Sequence, residues 1–472
     1  METDRPTLPS GWSRMSLVDV ISRDGLFVDG DWVETKDQDP HGEVRLTQLA
    51  DVGDGEWRDR SVRFLTTQKA EQLGCTYLTA GDILVARMPA PLGRACIFPG
   101  SDRPCITVVD VCVIRPPAAR VNPRWLMWAL NAPQARQQIS DLERGTTRRR
   151  ISRKNLATIQ LVVPPRDEQD RIVDAIEAEL SRRDAACAGL RSLKSQHERL
   201  YDALVTQAVT GSLLPQDEAE GTGSSLLAAS LDSARTSAGM ADPELDGMPP
   251  IPTSWRWATL ACLGDVVGGV TKDAKREANP SNVTVPYLRV ANVQRGWLNL
   301  RDVSAIRVPR EQAEALRLQA GDILMNEGGD RDKLGRGWVW DGSVPDCIHQ
   351  NHVFRVRLRH PGMEPRFVSW FANTVAAPWF ERTGKQTTNL ASISLNSLKR
   401  LPIPVPPAGE QRRIVLELER QLSIVSASQT SLATYLAKAG VLKNAILAAA
   451  LDGAFTGTSR GPSSDGGSEA VS

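Results

Sequence analysis

Pro164-Pro165-Arg166-Asp167-Glu168-Gln169-Asp170-Arg171-Ile172-Val173 decides how this chain is read. Pro406-Pro407-Ala408-Gly409-Glu410-Gln411-Arg412-Arg413-Ile414-Val415 says nearly the same thing 242 residues later, from 164 to 406. In both copies a proline pushes the residue before it out of the helical region. Acidic residues follow (Asp167, Glu168 and Asp170 in one copy, Glu410 in the other), where the start of a helix favours negative charge. The apolar positions shared by the copies are Val173/Val415, Ile176/Leu418, Leu180/Leu422, Leu190/Leu432, Leu193/Tyr435, Leu200/Leu442 and Leu204/Ile446. Their spacings are threes, fours and sums of these, a heptad-like stripe with one irregularity near its middle. Carried on to Gly211 and Gly453, about 45 residues at 1.5 Å each predict a rod of roughly 65 Å. Such a stripe has to be buried, and the sibling helix is the evident partner. The reading predicts two long helices paired as an antiparallel coiled coil, with those fourteen residues packing between them.

Upstream of each helix the repetition continues. Pro123-Arg124-Trp125 and Trp128-Ala129-Leu130-Asn131 return as Pro365-Arg366-Phe367 and Trp370-Phe371-Ala372-Asn373, and from 123 to 211 the copies run without a gap. Leu8-Pro9-Ser10-Gly11-Trp12 answers Ile251-Pro252-Thr253-Ser254-Trp255, and Ala80-Gly81-Asp82-Ile83-Leu84 answers Ala320-Gly321-Asp322-Ile323-Leu324. A period this long is a duplicated domain plus helix, not a solenoid of 20–50-residue repeats or so. Short β-rich runs lie at 83–85, 95–98, 106–109 and 113–114, and again at 285–293, 323–325, 338–340 and 352–358, with turn residues between them. Helical spacing covers 124–140 and 365–379. The fold class is α+β: two pseudo-repeated α/β domains joined by two long antiparallel helices. The expected divisions are a first domain 1–163, a first long helix 164–215, a flexible linker 216–249 rich in Gly, Ser, Ala and acids, a second domain 250–405, a second long helix 406–455 and a disordered tail 456–472.

Composition bounds the rest. With 472 residues, 41% hydrophobic and 24% charged, the chain has the make-up of a soluble globular protein. Its net charge of +1 gives no global attraction to nucleic acid, so any basic surface has to be local. Seven scattered cysteines without a C-x-x-C pair fit reduced cytoplasmic thiols better than a disulfide framework or structural zinc. No signal-peptide pattern or long apolar run occurs, which predicts a cytoplasmic location.

Catalytic signatures are missing where an enzyme would carry them. None of the Pro-Pro pairs has Asn or Asp before it and an aromatic after it, as amino-methyltransferases require. No F-x-G-x-G loop is present to hold S-adenosylmethionine, and no G-x-x-x-x-G-K-[ST] phosphate cradle. Pro345-Asp346 lacks the E-x-K of a nuclease. His349 and His352 are three apart and can share a metal, but a polar turn leading into the 353–358 strand is the simpler reading. The expectation is a chain that binds and does not catalyse, with no cofactor or metal of its own.

Polar and basic stretches sit at corresponding places in the two domains. Thr146-Thr147-Arg148-Arg149-Arg150, with Arg153 and Lys154, precedes the first long helix, and Lys385-Gln386-Thr387-Thr388-Asn389 stands in nearly the same place before the second. Arginines suit phosphates, and Gln and Asn can bond adenine edges. A second pair of loops follows the Gly-Asp-Ile-Leu strands, offering Arg87 and Arg94 in the first copy and Asn326, Arg331, Lys333 and Arg336 in the second. Gln350-Asn351-His352 and Asn292 complete the candidate DNA-binding set. For each, a solvated loop or ordinary hairpin is the competing explanation.

Taken together, the residues resemble the specificity subunit of type I restriction–modification enzymes. The resemblance rests on the Leu/Ile-Pro-x-x-Trp openings at Trp12 and Trp255, the Gly-Asp-Ile-Leu strands at 81–84 and 321–324, Gln350-Asn351-His352-Val353-Phe354-Arg355-Val356, and the doubled Pro-Pro-x-x-Glu-Gln-x-x-Ile-Val. It implies tandem target-recognition domains, each binding one half of a split site in double-stranded DNA, with the helices as spacer. It also implies two modification subunits that methylate adenine from S-adenosylmethionine, and motor/nuclease restriction subunits that use ATP and Mg2+, those cofactors lying on the partners. The first copy departs from the pattern, having Thr107-Val108-Val109-Asp110 where the second has His349-Gln350-Asn351-His352. Two other classes stay open: a self-contained DNA methyltransferase or nuclease with its own recognition domains, and a coiled-coil scaffold that does not touch DNA.

Overall fold

The computed structural model of the chain describes residues 8–89, 91–145, 149–232, 242–329, 333–386 and 391–453. These form two compact units. One runs up to Arg191 and resumes at Ala433; the other is Ser192–Leu432. Compactness thus groups each globular domain with parts of both long helices, Arg166–Thr210 and Ala408–Leu451, and not with its own helix alone.

In the first unit the strands are β1 (Ser13–Ser16), β2 (Leu26–Asp29), β3 (Val44–Thr47), β4 (Phe64–Leu65), β5 (Ile83–Ala86), β6 (Ala95–Ile97), β7 (Cys105–Thr107), β8 (Val111–Arg115) and β9 (Gln160–Val163). They make a four-stranded sheet in the order β2-β8-β5-β6, a three-stranded sheet β4-β3-β7 and the pair β1-β9. The Gly-Asp-Ile-Leu strand is apolar without alternation because both its faces are covered. Ile83 and Val85 join the cluster around helix Pro123–Asn131, while Leu84 and Ala86 join Val52, Phe98 and Cys105 on the other side. Asp82, just before this strand, is 1% exposed. It accepts from the Thr79 N–H (2.7 Å) and pairs with the Arg115 guanidinium at 2.6 and 2.8 Å. Asn131 ends its helix by exchanging two hydrogen bonds with Ala95, its Nδ2 donating (2.8 Å) and its Oδ1 accepting (2.9 Å). The helix expected over 124–140 is therefore two helices, Pro123–Asn131 and Pro133–Asp141, because Pro133 holds Ala132 in extended backbone. Ile172, Val173, Ile176 and Leu180, near the start of the first long helix, cluster with Ile446, Leu447, Ala450 and Leu451, near the end of the second.

The second unit repeats this plan. Its strands are β10 (Arg256–Thr259), β11 (Gly264–Val267), β12 (Val283–Leu288), β13 (Val293–Gln294), β14 (Trp297–Leu298), β15 (Ser304–Val308), β16 (Ile323–Asn326), β17 (Gly328–Gly329), β18 (Gly337–Val339), β19 (Ile348–His349), β20 (Val353–Leu358), β21 (Lys385–Gln386), β22 (Ala391–Ser392) and β23 (Pro402–Val405). Sheets β11-β20-β16-β18 and β15-β12-β19 and the pair β10-β23 match the first unit strand for strand; β17-β22-β21 and the β13-β14 hairpin are additional. Asp322 pairs with Arg357 at 2.7 and 2.7 Å. Asn373 exchanges bonds with Gly337 at 2.8 and 3.0 Å. The run expected as one strand over 285–293 turns at Val290–Asn292, because the Asn292 side chain accepts from the Arg289 N–H. The 365–379 helix likewise splits, into Pro365–Asn373 and Ala377–Thr383. Here the end of the first long helix (Val205, Ala208, Val209) packs with the start of the second (Ile414, Val415, Leu418).

The Glu-Gln of each helix start acquires a role. Gln169 accepts from the Asn122 N–H (2.8 Å) and donates to Pro164 O (3.0 Å); Gln411 accepts from Glu364 N–H (3.0 Å) and donates to Pro406 O (3.1 Å). Both amides are almost fully buried and tie the helix start to the loop ahead of helix Pro123–Asn131 or Pro365–Asn373.

Two expectations need correction. Leu193, Leu200, Tyr435 and Leu442 are 44–59% exposed and do not seal a helix seam. Leu190, Leu204 and Leu422 are half-buried, and the buried positions include Cys187, Val205, Val209, Val425 and Leu447 in their stead. A two-helix contact covers a narrow stripe, and a strict heptad drifts about 20° per repeat on a straight helix. Residues 216–232 are also not an unstructured linker. Glu218–Glu220 forms a 3-10 turn and Gly223–Asp232 a helix that buries Leu226. The Arg413 guanidinium donates to Glu220 at 2.9 and 2.9 Å, and Gln216 bridges Glu410 (2.7 Å) and Ser254 (2.8 Å). A Cβ on Gly223 would lie 1.9 Å from Val405 O, so only glycine fits there. The composition looked loose because small residues are what this close approach needs. All seven cysteines are free, and no helix of the described residues is long and apolar enough to cross a membrane.

Candidate nucleic-acid interface

In the second unit, three stretches singled out separately in the sequence meet at one junction. Glu327 follows β16 directly. Its N–H donates to His352 O (2.9 Å), its carbonyl accepts from the Ile393 N–H (2.8 Å), and its Oε2 lies 2.5 Å from His352 Nδ1. Gly328 and Gly329 pair with Ser392 and Ala391, which pair in turn with Lys385 and Gln386. The glycine-rich loop, Gln350-Asn351-His352 and the Lys385 hairpin therefore share one end of the domain. Lys385 and His352 are exposed, and Gln350, Asn351, Lys333 and Arg336 are half-buried. With Nδ1 of His352 facing a carboxylate, its Nε2 is left to accept from Asn351 Nδ2 (3.3 Å). Arg331, Thr388, Asn389 and the side chain of Gln386 lie outside the described residues, as do Thr147 and Arg148 of the first domain.

The first unit contains the same junction with other side chains. Arg87 follows β5, its N–H donates to Asp110 O (2.9 Å), and its carbonyl accepts from the Ile151 N–H (3.1 Å). Asp110 and Ile151 stand 242 residues before His352 and Ile393. Arg149, Arg150 and Lys154 are exposed beside it, Arg149 paired with Glu143 at 2.8 Å.

Several expected DNA contacts belong to the frame instead. The Arg87 guanidinium donates to Val109 O and pairs with Asp29 at 3.4 Å. Arg94 donates to Val52 O, Leu49 O and Pro89 O, and burial holds its guanidinium below the ordinary value. Arg153 donates to Phe27 O (2.9 Å) and sits over the Phe27 ring. Asn292 and Asn326 are buried, the first donating to Asn299 O and Asp302 O, the second to Val293 O. A polar side chain in a turn satisfies the backbone around it before it can meet a ligand. Nothing in the sequence sets Glu327 apart from the other charges of its loop, although it stands five residues beyond Asp322 of a motif that fixes its position.

His349 and His352 engage different partners. His349 is fully buried with Nδ1 2.6 Å from Val353 O, whereas His352 faces Glu327. Among the described residues no group of three or more His, Cys, Asp or Glu is placed to hold a metal ion. Burial pushes the His349 imidazole down to about 4. It stays neutral in the folded domain while the unfolded chain takes up a proton near pH 6.5. Stability contributed by the neutral form is complete above pH 6.5 and is lost as pH falls towards 4, by about 2 kcal/mol at pH 5. His349→Thr, matching Thr107 of the first domain, is expected to flatten that slope in urea titrations at pH 7.5 and 5. An unchanged slope would refute the assignment.

Residues 9–181 match the family model described as the type I restriction modification DNA specificity domain. The chain is 22% identical over 352 residues to the type I restriction enzyme StySPI specificity subunit of Salmonella potsdam, covering 74% of this chain and 69% of that protein. It is 22% identical over 368 residues to the EcoBI specificity subunit of Escherichia coli, covering 77% and 72%. A chain from a structure of a type I R-M system superposes with a TM-score of 0.68 at 19% identity, over 95% of this chain and 99% of that one. The HsdS subunit of Thermoanaerobacter tengcongensis gives 0.57 at 18% identity, over 96% and 100%. By family model over residues 9–181 and by sequence, this chain is similar to the specificity subunits of type I restriction–modification enzymes, and it shares the fold of those solved structures.

Proposed function

We propose that the chain is the non-catalytic DNA-specificity subunit of a type I restriction–modification complex. Each domain reads one half of a split site in double-stranded DNA, and the paired helices set the gap between halves. Two modification subunits dock on it and methylate adenine. S-adenosylmethionine, ATP and Mg2+ belong to those modification subunits and to motor/nuclease subunits that join the complex in the cytoplasm. The observation that carries this reading is the repeated junction: identical backbone bonds at Arg87/Asp110/Ile151 and Glu327/His352/Ile393, with different side chains presented. Phosphate contacts from exposed cations such as Arg150, Lys154 and Lys385 orient each domain, and base contacts choose the site.

The test is methylation mapping of DNA exposed to this chain together with its modification subunits. Adenine methylation at one two-part motif with a fixed gap is expected. A single uninterrupted motif, or saturable S-adenosylmethionine binding by the purified chain alone, would overturn the reading in favour of a self-contained enzyme.

A further inference from the structure

The same backbone position carries opposite charge in the two domains. Arg87 and Glu327 each follow the Gly-Asp-Ile-Leu strand, and each is pinned by one donated and one accepted main-chain bond. We propose that Glu327, oriented by His352, is a specificity-determining residue of the second domain that accepts a hydrogen bond from the exocyclic amino group of a cytosine or adenine. The proposal rests on the DNA-specificity reading above.

Three features of the junction support it. The main chain of Glu327 is fixed on both sides, so its carboxylate reaches a single small region. His352 Nδ1 holds Oε2, and Asn351 Nδ2 in turn holds His352 Nε2 at 3.3 Å, so Oε1 is the carboxylate oxygen that His352 does not engage. The pair is accessible, His352 being 53% and Glu327 28% exposed at the side chain. A carboxylate on a surface that meets a polyanion is repelled by every phosphate. Cytosine N4 and adenine N6 are the groups in the major groove that donate to it, whereas guanine and thymine offer acceptors at the corresponding edge and would be rejected. Arg87 cannot do the converse in the first domain, because its guanidinium is turned inward to Val109 O and Asp29 and is only 14% exposed. The two half-sites are therefore read by different chemistry at this shared position.

The experiment is methylation mapping by the complete complex containing Glu327→Gln, a nearly isosteric change that removes the charge and leaves the backbone bonds. Discrimination at one base pair of the second half-site is expected to fall about tenfold to a hundredfold, with the first half-site and the gap unchanged. His352→Ala, which leaves the carboxylate in place but releases its orientation, is expected to loosen the same base pair to a smaller degree. Retained reading of the first half-site within the same molecules reports that each variant is folded and assembled. Unaltered discrimination in both variants, or loosening spread over both half-sites, overturns the proposal. Absence of any sequence-dependent methylation by the unmutated complex is a different result, and sinks the specificity reading itself.

Discussion

Replacing Asp322 by alanine is expected to cost the second domain about 2–4 kcal/mol, a large part of the 5–15 kcal/mol or so that holds a domain folded. The carboxylate is buried, and Arg357 and the Gln319 N–H all point at it. Removing it strands the Gln319 N–H and leaves the Arg357 guanidinium with only the neutral Arg317 carbonyl, at 3.0 Å. Loss of one member of a fully buried pair costs about 3–5 kcal/mol; Arg357 is partly exposed, and water softens its loss, hence the lower range. Asp82→Ala should act alike on the first domain through Arg115. Urea unfolding followed by tryptophan fluorescence would measure this, and a loss below about 1 kcal/mol, the worth of an exposed pair, would contradict it.

On the proposed spacer role, lengthening both long helices should move the two half-sites apart. One heptad added to the middle of each helix extends it by about 10 Å, close to the rise of three base pairs. The helix face returns to within about 20°, but three base pairs turn the duplex by roughly 100°. The new gap is thus reached with one domain facing the wrong side of the groove, and methylation should drop steeply. Three heptads add about 31 Å, or nine base pairs, nearly a full turn. That variant should recover activity on a gap longer by nine or ten base pairs. Methylation at the original gap should fall at least a hundredfold in both, given that misplacement by 1 Å costs about that much. Mapping that finds the original gap still preferred would remove the spacer role from the helices.

The doubled Pro-Pro-x-x-Glu-Gln made the long helices legible, because capping, charge and apolar spacing all act within a few residues of one another. What that motif does was not legible: Gln169 and Gln411 bond a loop about 47 residues away, and only the fold brings it there. The heptad stripe failed in part at Leu193, Leu200, Tyr435 and Leu442, since sequence spacing shows which residues share a face but not how wide a neighbour covers it. Among the candidate DNA contacts, Asn292, Asn326, Arg87 and Arg94 went astray for a common reason. An amide or guanidinium looks the same in a sequence whether it faces a nucleobase or a carbonyl of its own turn. Glu327 was the opposite case, overlooked because a lone carboxylate in a charged loop carries no pattern.

The side-chain bonds that match between the copies (Asp82–Arg115 with Asp322–Arg357, Asn131–Ala95 with Asn373–Gly337) are made by residues that do not lie at the junction, where only the main-chain bonds are shared. Inheritance can therefore work on this molecule as a typesetter does, changing the characters at the tip of each module while the forme that grips them stays locked. Under the proposed function, recognition could then change through short segments, without the folding energy of either module having to be won again.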